Sequence, residues 1–169
     1  MFAQHTTPNL GLAVLGGGVG SAVMKQVMTG MYALESDETR RMEEAVRPGE
    51  PFEIAADRCA YWIGVQLTDG QRKGIATAVH YGLGMSLAPI YIALRRRTEL
   101  HPALIGGLMG VSAWLLLDEL LTPTLGLSAP NSAYPAAAHV RGVVAHTVLG
   151  LTLAAATELF QYGFRRLRR

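Results

Sequence analysis

Residues Val140–Gln161 read VRGVVAHTVLGLTLAAATELFQ. Coiled as a helix, this stretch is apolar nearly all the way round. A soluble helix of the same length would show an apolar stripe opposite a charged face. A helix of about 20 residues with no polar face is what the hydrocarbon core of a bilayer accommodates. Three further runs read the same way, roughly Leu10–Met31, Ile75–Leu94 and Ala103–Leu121. Each of the four still holds at least one ionisable group. The expected fold is all-α: a single integral membrane domain over residues 1–169, with four transmembrane helices as two tandem helix pairs. A short helical extracytoplasmic loop, residues 33–74, joins helices 1 and 2.

Composition agrees with that choice. Half of the 169 residues are hydrophobic, 17% are charged, and there are 19 glycines. The charges concentrate in Glu35–Lys73 and in two arginine clusters, Arg95–Arg97 and Arg165–Arg169. The net charge of +2 says little by itself. The clusters lack the broad basic face that nucleic acid needs, so no nucleic-acid partner is expected. Membrane lipid is expected, including anionic headgroups at the arginines. The lone cysteine, Cys59, allows no intramolecular disulfide and reads as structural. The leading flank MFAQHTTPN has no Lys or Arg, so the first run is a poor secretory signal.

Two of the runs share a spelling. His80–Ala88 is HYGLGMSLA and His146–Ala154 is HTVLGLTLA. Both follow His-x-x-Leu-Gly, with Ser/Thr-Leu-Ala behind. Gly84 and Gly150 then lie one turn from their histidines on the same helix face. A missing side chain lets a neighbouring backbone approach, so each histidine should point into a helix contact. The other two runs hold Gly16-x-x-x-Gly20 and Gly106-x-x-x-Gly110. The order Gly-rich helix, His helix, Gly-rich helix, His helix suggests an internal repeat, with halves related by an axis along the membrane normal. Pro89 has no proline counterpart at Ala155, so the halves differ.

Basic residues mark the cytoplasmic side of a membrane protein. RRR at Arg95–Arg97 and the terminal RRLRR fall on one side if the spans are even in number. Both termini of the multi-pass protein are then cytoplasmic. In the first loop, acids outnumber bases. SDETRRMEEAV reads as a polar helix with Ser36 as N-cap and Pro48 beyond its end. PFEIAADRCAYWIGVQL reads as a second helix, with Phe52, Ala56, Cys59 and Ile63 on one face. Tyr61 and Trp62 suit a membrane interface. TDGQ offers a capping box, Thr68 with Gln71. The loop is expected either as an interfacial helix pair or as a solvated charged cap.

Counting turns places several ionisable groups at one depth, in the extracytoplasmic third. These are Lys25, His80, Asp118, Glu119, His139, Arg141 and His146. An unpaired charge there costs roughly 2–3 kcal/mol or more, so the groups should face inward and pair. The first expected pair is Asp118 or Glu119 with Arg141, and Lys25 is the competing cation. Three roles are open. The layer could fix the register of the bundle by hydrogen bonds. It could be a proton or ion site, since imidazoles titrate near neutral pH. It could also bind metal or haem through His80 and His146. His5 and His101 lie in a tail and a link, where no role is expected. Glu158 is expected to pair with Arg165 or Arg166, and Trp114 to serve packing. No catalytic signature stands out: GGGVG lacks the Gly-Lys-Ser/Thr of a phosphate loop, and Cys59 has no local base. The chain is not expected to be an enzyme.

The stretch DELLTPTLGLSAPNSAYPAAAHVRGVVAHTVLG, Asp118–Gly150, resembles a bacterial family. With AVHYGLG and RRMEEAVRPG, it is similar to the YagU-like family of small bacterial inner-membrane proteins. The resemblance implies a small multi-span inner-membrane protein, and one member's association with acid resistance implies a stress link. The function expected is acid-related proton or small-solute handling at the polar cluster His80, Asp118, Glu119, Arg141, His146 and Lys25. The alternative is a non-catalytic accessory subunit, with the faces at Gly16–Gly20 and Gly106–Gly110 docking another membrane protein or a second copy.

Overall fold

The computed structural model describes residues 9–168, and among them there is no strand. Six helices carry the fold: α1 Leu10–Leu34, α2 Asp37–Val46, α3 Pro51–Trp62, α4 Asp69–Arg97, α5 Pro102–Thr124 and α6 Ala136–Leu167. Four of them, α1, α4, α5 and α6, are long and apolar enough to cross a membrane. They overrun the apolar windows because caps, not hydropathy, end a helix. Asn9 opens α1, its Oδ1 accepting from Gly11 N at 2.8 Å. Ser36 Oγ accepts from Thr39 N at the start of α2. Thr68 and Gln71 form the capping box of α4. Pro102 occupies the first turn of α5, where its missing N–H costs nothing.

The long helices form an up-down-up-down ring. Contacts are extensive between α1 and α6, α5 and α6, and α1 and α4, and slight between α4 and α5. The core between them is built of small or flexible residues: Ala13, Ala88, Met109 and Ala154, joined by Tyr91, Ile92, Ile105 and Leu153. Large aliphatics such as Leu15, Leu104, Leu108, Leu116 and Leu159 face outward. A soluble bundle would bury those leucines and solvate its exterior. Small inside and large outside is the arrangement expected where lipid is the solvent and close helix approach drives packing. The four helices therefore fit a multi-pass integral membrane protein.

Glycines set the helix spacing. A Cβ on Gly84 of α4 would collide with Ser21 Oγ of α1, and one on Gly17 would lie 2.5 Å from the Gly84 carbonyl. In the second pair, a Cβ on Gly150 of α6 would collide with the Gly106 carbonyl, and one on Gly110 with the His146 carbonyl, both across the α5–α6 seam. The face of α1 that meets its own His helix is thus Gly17 and Ser21. Gly16 and Gly20 instead meet α6, where a Cβ would lie 2.9 Å from the Leu153 carbonyl and 2.7 Å from that of Leu149. Adjacent glycines on one helix point about 100° apart, so GGGVG serves two neighbours at once.

Helices α2 and α3 lie at the end of the bundle where α1 and α5 finish, here called the cap end. Arginines of α2, α3 and α4 pin them there. Arg40 of α2 donates to the Ala33 carbonyl at the end of α1, at 3.2 Å. Arg58 of α3 donates to the Leu125 and Gly126 carbonyls, at 2.5 and 2.7 Å, where Gly126 turns the chain with φ of +67°. Arg72 ties Asp57 of α3 to Asp69 at the start of α4, both at 2.7 Å. The first two satisfy helix C-terminal carbonyls that have no intrahelical donor. The face of α3 that packs inward is Ala56 and Ala60, with Phe52 half-buried; Cys59 and Ile63, expected on that face, are exposed beside Tyr61 and Trp62. Small residues won the contact because α3 lies close against α4.

Candidate functional site

The ionisable groups that meet α6 at the cap end form three sets. The first is an ion triad. Arg141 donates through Nη2 to both carboxylate oxygens of Glu43, each at 2.7 Å, and through Nη1 to Glu35. Its guanidinium also lies 5.0 Å from the centre of the Tyr32 ring. Arg141 and Glu43 are buried, and Glu43 is the buried residue of an otherwise polar α2. Among the described residues Glu35 Oε2 is buried without a hydrogen-bond partner.

The second set is Glu119, His139 and Asn131. Glu119 Oε1 lies 2.6 Å from His139 Nδ1, and the Asn131 carbonyl lies 3.1 Å from His139 Nε2. Asn131 Nδ2 donates back to the Glu119 carbonyl at 2.7 Å. Both imidazole nitrogens therefore face oxygen acceptors. A neutral imidazole has one N–H, so satisfying both contacts takes one more proton, held by the ring or by the carboxyl.

The third set is Asp118 and His146. His146 is buried and donates from Nδ1 to the Gly142 carbonyl at 3.1 Å, with Asp118 Oδ2 3.5 Å from the same nitrogen. Asp118 and Glu119 both sit in a π-helical stretch of α5, Leu115–Leu121. The wider turn lets two consecutive carboxylates reach α6, and π stretches gather at functional sites. Trp114 just before it packs on Gly142, where a Cβ would lie 2.8 Å from the indole Nε1.

Arg141 does not pair with Asp118 or Glu119. On α6 it stands five residues from His146, about 140° round the helix, so the two cannot face the same neighbour. His139 and His146 are seven apart and share a face, which meets α5. Arg141 instead faces α1 and α2. Lys25 is exposed on α1 and forms no ion pair among the described residues. His80 is half-buried in the α1–α4 seam, its Nε2 donating to the Ser21 carbonyl at 3.2 Å. His80 and His146 are thus engaged in separate helix pairs, and among the described residues no group of three or more His, Cys, Asp and Glu is arranged to hold a metal. His101 caps α5 through Nδ1, and His5 lies outside the described residues.

At the opposite end, Glu158 accepts from Arg95 Nε at 3.0 Å and from the Tyr91 hydroxyl at 2.9 Å. Its partner is on α4, not the expected Arg165 or Arg166, because Glu158 points inward while those arginines follow the helix out to its exposed end. Glu35, Glu43 and His139 are the site residues that sequence reasoning left unpaired. Depth could have found Glu35, which ends the first span level with the start of the fourth. No local signal marks Glu43, which sits in a run of charges.

Compared with known proteins, the chain matches no family model, no curated protein and no solved structure.

Proposed function

We propose that this chain handles protons at the cap end of a membrane-embedded bundle. The observation that carries the reading is His139 held between two oxygen acceptors, Glu119 and the Asn131 carbonyl. Beside it, Asp118 and His146 repeat the carboxylate–imidazole pairing one step deeper. His139 and Asp118 are each partly exposed, and in this reading protons reach them from the cap side. Ionisable groups at membrane level are costly, and proton relays are a recurrent reason to keep them.

The arginines of the α4 and α6 ends support an orientation with that end, and both termini, in the cytoplasm of a bacterial cell. The cap then faces outward, where external acid arrives. This fits a YagU-like inner-membrane protein with a stress role and no catalysed reaction. The matching His-x-x-x-Gly seams of the two helix pairs support an origin as a tandem repeat. In the alternative, an accessory subunit, the docking surface is not Gly16–Gly20 or Gly106–Gly110, since both are used within the chain.

The test is proton flux and pH-dependent hydrogen exchange in liposomes carrying the purified protein. Glu119→Gln and His139→Asn should each abolish the pH response, while His80→Ala should leave most of it. An unchanged response in both first variants ends the proton reading. A stoichiometric partner retained in mild detergent, with no flux, supports the subunit.

A further inference from the structure

An apolar groove of about 470 Å³ lies between α1 and α6 at the arginine end. Its walls include Leu12 and Leu15 of α1 and Leu159, Tyr162, Gly163 and Phe164 of α6, and no polar surface lines it. Asn9 N, at the start of α1, donates to Gln161 Oε1 of α6 at 3.0 Å and ties the two helices together at this end. The rim is cationic. Arg166 Cζ stands 4.8 Å from the centre of the Tyr162 ring, and Arg168 Cζ 4.5 Å from that of Phe164. Those rings are themselves walls of the groove.

A guanidinium stacked on a ring keeps its edge N–H donors free, and that planar fork suits phosphate. Neither Arg166 nor Arg168 forms an ion pair within residues 9–168. Depth places them correctly for a headgroup. α6 has 32 residues, about 48 Å of helix, against a hydrocarbon core of roughly 30 Å. Its last turns therefore emerge at the level of lipid phosphates.

We infer that this groove binds one anionic phospholipid, an acyl chain lying against Leu12, Leu15 and Leu159 and the phosphate meeting Arg166 and Arg168. An apolar trough alone would accept any acyl chain. The two unneutralised guanidiniums at its rim select for a negative headgroup. The inference rests on the four helices spanning a membrane and is independent of the proton site.

Gly163 makes a clean test, because a Cβ there would meet nothing within 4 Å. Gly163→Leu puts an isobutyl group on the groove wall at a point where its Cβ meets no neighbour. The protein is equilibrated in neutral detergent with equimolar phosphatidylglycerol and phosphatidylcholine, and retained lipid is counted by native mass spectrometry. Wild type should retain phosphatidylglycerol about fivefold or more over phosphatidylcholine, falling as salt rises. Arg166→Gln with Arg168→Gln should bring the two lipids to parity, and Gly163→Leu should retain neither. Arg166→Lys with Arg168→Lys keeps the charge and should keep the preference, which separates lost charge from a lost fold. No preference in wild type, a preference surviving the glutamine pair, or full retention in Gly163→Leu overturns the site. Release of the protein by alkaline carbonate without detergent would instead overturn the spanning helices beneath it.

Discussion

The ion triad at the cap end makes an unequal demand on its members. Arg141 lies between Glu43 and Glu35, so the set carries one positive and two negative charges. Arg141→Gln leaves the buried Glu43 and the half-buried Glu35 carboxylates without their shared cation. Removing one partner of a buried ion pair costs about 3–5 kcal/mol. The triad lies beneath α2 at the bundle end, where water can relax around it, so about 3 kcal/mol is expected. That is roughly a hundredfold in the folding equilibrium. Glu43→Gln behaves differently: it leaves Arg141 paired with Glu35, a neutral set, and glutamine still offers one acceptor. Its expected cost is about 1 kcal/mol, one charge-assisted bond exchanged for a neutral one. The double variant should be milder than the sum of the two, with a coupling of about 1–2 kcal/mol. Unfolding in detergent measures the energies, and hydrogen exchange over residues 37–46 reads whether α2 lets go. Arg141→Gln within about 0.5 kcal/mol of wild type, or Glu43→Gln as costly as Arg141→Gln, refutes the charge reasoning.

Three further outcomes test the rest of the fold. Gly150→Ala should destabilise the protein by about 1–3 kcal/mol, since its methyl meets a backbone carbonyl that cannot rotate away. Gly82→Ala, two residues from Gly84 but with open space at its Cβ, should be neutral or stabilising by up to about 1 kcal/mol; equal losses in a thermal melt would contradict the seam geometry. Arg58→Ala should expose the turn at Leu125–Gly126, read as faster proteolysis there with the long helices still protected. In a Trp114→Phe background, Trp62 emission should be quenched by brominated acyl chains on reconstitution, placing α3 at the membrane interface; an unquenched, water-like spectrum would leave it a solvated cap.

The polar layer was only partly legible in the sequence. Counting turns brought Asp118, Glu119, Arg141 and His146 to one end, and Asp118 with His146 did meet. Depth along a helix follows from position alone at 1.5 Å per residue. Azimuth does not, because it depends on which neighbour each face meets. That is why Arg141 turned to Glu35 and Glu43, and why His80 stayed in its own seam. The π stretch at Leu115–Leu121 adds a local change of phase that no simple count of turns contains.

What the sequence determined by itself was local and one-dimensional. Apolar runs without a polar face gave the long helices, Ser36 and the Thr68–Gln71 pair gave their starts, and the arginine clusters marked one end. These depend on a residue and its near neighbours, so they survive translation into coordinates. Only the tertiary structure decided who pairs with whom: Gly17 rather than Gly16 against α4, Glu158 with Arg95, and a cap closed by Arg40, Arg58, Arg72 and Arg141. The physical reason is that a buried charge or a bare glycine specifies a requirement, a counter-ion or a close backbone. Many residues could meet that requirement, and the packing of six helices selects among them.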